Sequence, residues 1–231
     1  MPLRPKMSDQ LRSLLDSVDH IKPIKKDTFL FSEGEIADEL YIIKSGRIQI
    51  GKLSPDGREL SLRICNKDDI VGELSLYSEN VKYILNAKIM EDGEVAVIKK
   101  SELEEELINN SGLAIEFMKI MNEYYRRDQT RFRDLVLHGK KGALYSTLIR
   151  LSNSYGKKLE NGDIFIDIIL TNQQLANFGG TSRESVNRML NELKRNNILS
   201  TKKGNIIIHD LQHLRDEINC ENCPVVLCSI H

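Results

Sequence analysis

Apolar positions change their spacing twice along this 231-residue chain. From residue 8 to 19, Leu11, Leu14 and Leu15 fall on one helical face behind Ser8, predicting a short capped helix. Between residues 27 and 100 the apolar runs become short and strand-like, at 29–31, 40–43, 47–53, 59–65 and 95–98. Gly34, Ser45-Gly46, Pro55-Asp56-Gly57 and Asp92-Gly93 divide them as turn signals. Strands of this length and spacing predict an antiparallel barrel or sandwich. The helical period then returns. Ser101 and Glu104 have the spacing of a capping box, and no Pro or Gly interrupts residues 113–137.

The first turns of that long helix are apolar on almost every side, through Leu113, Ile115, Phe117, Met118, Ile120, Met121, Tyr124 and Tyr125. A helix lying on one domain needs a single apolar stripe, so a broader one predicts a second packing partner. Either the helix is deeply buried in its own domain, or it serves both that domain and a two-fold dimer interface. The dimer is the expectation here, because the nucleic-acid reading below also calls for two-fold symmetry.

Residues 139–142, bounded by Gly139 and Gly142, interrupt the helical pattern. A further helix to Tyr155 and a short strand over 163–170 follow. Thr171 is placed to cap a short helix that turns Leu175 and Ala176 inward, and Phe178-Gly179-Gly180 reads as a tight turn. Thr181 or Ser182 then caps a second helix whose buried side is Val186, Met189, Leu190 and Leu193. Two short helices across a glycine turn form a helix-turn-helix, and residues 198–208, turning at 202–205, add a basic wing. The outer face of the second helix shows Ser182, Arg183, Glu184, Asn187 and Arg188. Arg can donate two hydrogen bonds to guanine, and Glu can accept from cytosine. Lys194, Arg195, Lys202 and Lys203 suit phosphates.

Charge and cysteine content sharpen the picture. The whole chain is nearly neutral, at −1, but residues 171–208 carry six Lys or Arg against two acids, and residues 210–231 one Arg against four acids. A composition of 40% hydrophobic and 29% charged residues is that of a globular protein. No apolar run is long enough to span a bilayer, and the MPLRPKMSDQ start has no secretory apolar stretch, so a cytoplasmic protein without a membrane partner is expected. Three of the four cysteines crowd the tail as Cys220-Glu221-Asn222-Cys223-Pro224 followed by Cys228, while Cys65 sits in a strand. In a reduced cytosol such density points to metal rather than to a disulfide. Cys-Pro beside a cysteine cluster suits iron–sulfur chemistry. A Cys₃His zinc site with His231, His209 or His213 is the competing choice, and an incidental, disordered tail the third. No Gly-rich phosphate loop, Gly-x-Ser-x-Gly or His-Glu-x-x-His is present, so no enzyme is expected.

With these residues in view, the chain resembles the CRP/FNR regulators over nearly its whole length. Residues 182–188, Ser-Arg-Glu-Ser-Val-Asn-Arg, are close to that family's recognition helix. Arg183, Glu184 and Arg188 match the type that reads a TGTGA-like half-site. The resemblance implies an α+β fold: an N-terminal helix and antiparallel β-roll of the cupin-like, cyclic-nucleotide-binding type (1–110) and a dimerisation helix (111–138). A winged helix-turn-helix (139–217) and a cysteine-bearing tail (218–231) complete it. It also implies double-stranded palindromic DNA as partner, a homodimer, and contact with RNA polymerase. Gly72-Glu73-Leu74 matches the nucleotide-binding members, but residues 77–83 lack the Arg-Ser pair that clamps a cyclic phosphate. Lys82 offers no bidentate fork there, so no cyclic nucleotide is expected. The C-terminal cysteines are similar to those of bacillus-type FNR anaerobic regulators. That similarity implies one [4Fe–4S] cluster per subunit on Cys220, Cys223 and Cys228, with Asp134 as fourth ligand, and oxygen sensing through it. The alternative is a regulator answering a small molecule in the β-roll, with structural zinc in the tail.

Overall fold

A computed structural model describes residues 20–73 and 75–231. The short helix expected over 8–19, and Leu74, lie outside the described residues. Two compact units divide the chain inside one long helix, the first running to Asn122 and the second from Glu123 to Ile230.

In the first unit, strands β1 (Ile21–Ile24), β2 (Phe29–Phe31), β3 (Glu39–Leu53), β4 (Glu59–Cys65), β5 (Ile70–Gly72) and β6 (Asn86–Lys99) form one antiparallel six-stranded sheet. Its main path runs β1-β6-β3-β4, with β2 on β6 and β5 on β3. The Ser45-Gly46 and Asp92-Gly93 pairs, expected as turns, instead lie inside β3 and β6. Residues 39–53 therefore make one strand where two were expected. The reason is that these strands pair along nearly their whole length, and their register shifts between Ile43, Ser45 and Arg47. Each glycine makes room for the opposite main chain: a Cβ on Gly93 would lie 2.1 Å from the Ser45 carbonyl, and one on Gly46 2.8 Å from that of Glu91. Facing bulges bend both strands together.

Phe31 and Tyr83 stack with centroids 3.8 Å apart in the core of this roll, and the Tyr83 hydroxyl donates to the Glu39 carbonyl at 2.8 Å. Helix α1 (Lys100–Asn109) follows β6. Its N-cap is Lys99, which makes no side-chain cap bond, so the Ser101–Glu104 capping box does not form; the Glu104 carboxylate accepts from the Tyr77 amide instead.

Helix α2 (Ser111–Tyr155) is continuous except at Gly139, whose φ of 58° and ψ of −157° break it where the sequence predicts an interruption. Leu113 and Phe117 of its start pack with Leu40, Ile98, Leu103 and Leu107 in the first unit.

In the second unit, β7 (Gly156–Lys158), β8 (Ile164–Ile166), β9 (Leu199–Lys202) and β10 (Asn205–Ile208) form an antiparallel sheet in the order β7-β8-β10-β9. The strand expected over 163–170 is confined to the three residues of β8. Between β8 and β9 come α3 (Asn172–Phe178) and α4 (Arg183–Arg195), and α5 (Leu211–Asp216) precedes the tail. Leu144, Leu148, Leu175, Val186, Leu190, Leu193, Ile208 and Leu214 are buried here. Met189 is only half-buried, at the edge of the face assigned to the core.

Candidate DNA-reading face and cysteine cavity

Local sequence chemistry builds the reading head. Thr171 closes a full capping box with Gln174 at the start of α3. Gly180, at a φ of 54°, lets the chain turn sharply after α3. Ser182, not Thr181, then caps α4 by accepting from the Ser185 amide at 3.2 Å. With Val186, Leu190 and Leu193 buried, Ser182, Arg183, Glu184, Asn187 and Arg188 are exposed together, as the sequence predicts. Glu184 lies in the first turn, where its own backbone amide and Ser182 hold its carboxyl below the usual range. Asn172 donates to Asn187 at 3.2 Å and ties the two helices across the turn.

The wing is a two-residue hairpin. Lys202 pairs with Asn205, leaving Lys203 and Gly204 as the turn, both at positive φ (52° and 88°). That is the type I′ geometry, and it presents Lys202 and Lys203 to solvent.

The second constellation lies between α2 and the tail, within the second unit. Cys220, Cys223, Cys228 and Asp134 all line one cavity of about 20 Å³, which suits a water-sized group. Asn219 and Asn222, at φ of 45° and 52°, take the left-handed backbone that Asn tolerates best after Gly, and so coil the tail around Cys220 and Cys223. Cys228 is placed by a turn in which its amide donates to the Pro224 carbonyl at 3.0 Å. Burial pushes the Cys228 thiol up, the charge of Arg150 opposes this, and the nearness of Cys220 and Cys223 adds to it.

Asp134 is committed to neighbours. Its carboxylate accepts from Ser146 at 2.6 Å, from Arg150 at 2.8 Å and from Arg133 at 2.8 Å. Burial alone would raise its pKa, but these three bonds outweigh it and hold the carboxyl below the usual range. Arg133 also pairs with Glu221 and lies 3.9 Å from the Cys223 sulfur. Among the described residues, no three His, Cys, Asp or Glu side chains gather closely enough to hold a metal ion. Three thiols and a carboxylate nevertheless line one cavity, with the guanidiniums of Arg133 and Arg150 beside them.

His209 and His213 do not line this cavity. His209 bridges Asp163 at 2.8 Å and Ser200 at 2.9 Å. The histidine present is His138; no sequence pattern pointed to it, nor to Arg133, Ser146 or Arg150.

Two family models match this architecture: a cyclic nucleotide-binding domain over residues 21–110 and a Crp-like helix-turn-helix domain over residues 142–217. The chain is 54% identical to an "Anaerobic regulatory protein" of Bacillus subtilis (strain 168), over 100% of this chain and 98% of the relative. It is 30% identical to a "Lactate racemization regulatory protein" of Lactiplantibacillus plantarum, over 86% and 92%. The fold is shared with a solved CooA variant from Carboxydothermus hydrogenoformans, at a TM-score of 0.77, 20% identity, and coverage of 91% and 92%. No described helix is long and apolar enough to cross a membrane. The chain belongs to the CRP/FNR family of DNA-binding transcription regulators, whose members are not enzymes.

Proposed function

We propose that this protein regulates anaerobic gene expression as an oxygen-responsive homodimer that reads a TGTGA-like palindrome. Each subunit would hold a [4Fe–4S] cluster through Cys220, Cys223, Cys228 and Asp134. One observation carries the reading: four potential ligands, one of them far away in sequence on the long helix, line a single cavity. The name of the Bacillus subtilis relative, an anaerobic regulatory protein, supports the anaerobic role. A bound cluster would supply an oxygen-labile link between tail and long helix.

The chain's own residues do the rest. Ile115, Met118, Asn122, Tyr125, Gln129, Phe132 and Val136 follow a heptad along α2, and all are exposed. This stripe is the proposed dimer seam, with Asn122 and Gln129 as polar positions that fix its register. Arg127, Thr130, Arg131 and Asp134, which face the tail, lie about 180° around the same helix at 100° per residue. One helix thus touches the cysteine tail on one side and presents the dimer seam on the other. Movement of the tail against α2 would alter how two recognition helices are held about 34 Å apart. Arg183, Glu184 and Arg188 would read base edges, Ser182 and Asn187 would flank them, and Lys202 and Lys203 would hold phosphates. RNA polymerase is the expected further partner at activated promoters. A cyclic nucleotide has no part in this reading: Lys82 is exposed, and the neighbouring Tyr83 is buried against Phe31.

His138 favours a second reading, because it turns the cavity's donors into a Cys₃His set suited to zinc. Strictly anaerobic purification separates the two. A brown protein with iron and sulfide near four per subunit, which loses operator affinity on exposure to air, supports the cluster. Colourless, zinc-loaded protein indifferent to air rejects it.

A further inference from the structure

The tail is not held by its cysteines alone. Arg127 donates to the Val226 carbonyl at 3.2 Å, Arg150 to that of Leu227 at 2.9 Å, Asn153 to that of Cys228 at 2.7 Å and Arg131 to that of Ser229 at 2.8 Å. The Ile230 amide donates to the Ser154 hydroxyl at 3.0 Å. Five consecutive residues, 226–230, are therefore gripped through their main chain by side chains of α2. Leu227, Ser229 and Ile230 are buried. The loop before them differs: Glu221, Asn222, Pro224 and Val225 are exposed. It is linked to α2 by side-chain contacts of Arg133 with Glu221 and Cys223.

Arg150 is the centre of this grip. Its buried guanidinium reaches Thr130 at 3.1 Å and Asp134 at 2.8 Å on the first segment of α2, Ser146 at 3.1 Å on its own segment, and Leu227 in the tail. A buried charge satisfied on every side fixes the groups around it.

We propose that Arg127, Arg131, Arg150 and Asn153 are positioning residues that latch residues 226–230 onto α2 with or without metal. They seat Cys228 beside Asp134 in advance and leave the Cys220–Cys223 loop as the part that opens and closes. The metal half of this statement rests on the function proposed above; the latch does not. It changes the mechanism in one respect: destruction of the metal centre frees the loop, not the whole tail.

Amide hydrogen exchange on the full-length, metal-free protein, read by mass spectrometry, tests it. The amides of Leu227, Cys228 and Ile230, which donate to Pro224 and Ser154, are expected to exchange at least about 100-fold more slowly than those of Glu221 and Asn222. Asn153→Ala and Arg131→Ala should each raise exchange in 226–230 about tenfold, the equivalent of one hydrogen bond. Protection around Val186 and Leu190 should stay unchanged, which reports that the unit is still folded. Arg131→Lys, which retains a donor, should restore part of the protection. Cys220→Ser with Cys223→Ser should leave 226–230 protected. Equal, rapid exchange across 219–230 in the metal-free wild type overturns the latch. If 226–230 is protected but reconstitution with iron and sulfide leaves 221–223 unchanged, the latch stands and the proposed cluster fails.

Discussion

Removing the Asp134 carboxylate gives the sharpest energetic test of the second unit. Asp134 is 6% exposed and Arg150 3%, and they meet at 2.8 Å. Asp134→Ala leaves the Arg150 guanidinium its neutral partners, Thr130, Ser146 and the Leu227 carbonyl, but takes away this counter-charge. An uncompensated buried charge of this kind costs about 3–5 kcal/mol. Arg133 adds little to that figure, because it is partly exposed and also pairs with Glu221. Replacing Arg150 as well, by Met, removes the stranded charge. Thr130 and the Leu227 carbonyl still lose a donor, at about 1–3 kcal/mol. The double variant is therefore expected to be more stable than Asp134→Ala alone, with a coupling of at least about 3 kcal/mol across the cycle. Urea unfolding of the four metal-free proteins by far-UV circular dichroism, at one fixed subunit concentration, measures it; at a slope near 2 kcal/mol/M the Asp134→Ala midpoint should fall by about 2 M. A loss below about 1 kcal/mol with no coupling would mean that the pair is not a buried ion pair, and the account of Arg150 as the centre of the grip would fall with it.

Three further outcomes follow from the same geometry. Arg183→Ala and Arg188→Ala should each weaken operator binding by about 1–3 kcal/mol per half-site and relax preference at one base pair, whereas Lys203→Ala should weaken all sequences alike and reduce the salt dependence by about one phosphate; competition binding on mutated operators at several salt concentrations distinguishes them. Phe132→Glu, in the exposed heptad stripe, should shift sedimentation toward monomer and abolish operator binding while circular dichroism stays native; an unchanged dimer would place the seam elsewhere. Gly93→Ala drives a methyl to 2.1 Å from the Ser45 carbonyl and should lower the thermal midpoint of the first unit by several degrees; a neutral result would contradict the facing bulges.

What the sequence made legible was local in origin. The helix-turn-helix could be read because capping, glycine turns and the buried side of an amphipathic helix are written in adjacent residues, and Thr171, Ser182 and Val186 do what their positions predict. The long helix and its break were legible for the same reason. Two glycine pairs misled, because glycine marks a bulge as readily as a turn; only pairing of β3 with β6, which is not local, decides between them. Ser101 and Glu104 had the right spacing at the wrong depth, one residue inside a helix that starts at Lys100. The cysteines announced themselves by density, and Asp134 by resemblance alone. Arg133, His138 and Arg150 carried no signal. An arginine within a helix reads as a solvated charge until the tertiary fold folds the tail over it.

The grip on residues 226–230 falls on four peptide carbonyls and one amide, so it reads the path of the chain rather than the side chains that follow that path. Relatives that keep the arginines of the helix could change Val226, or exchange one apolar residue for another at the buried Leu227 and Ile230, and still fold the stretch alike. Grafting the segment onto another member of the family would then succeed or fail on the acceptor's helix, not on the graft.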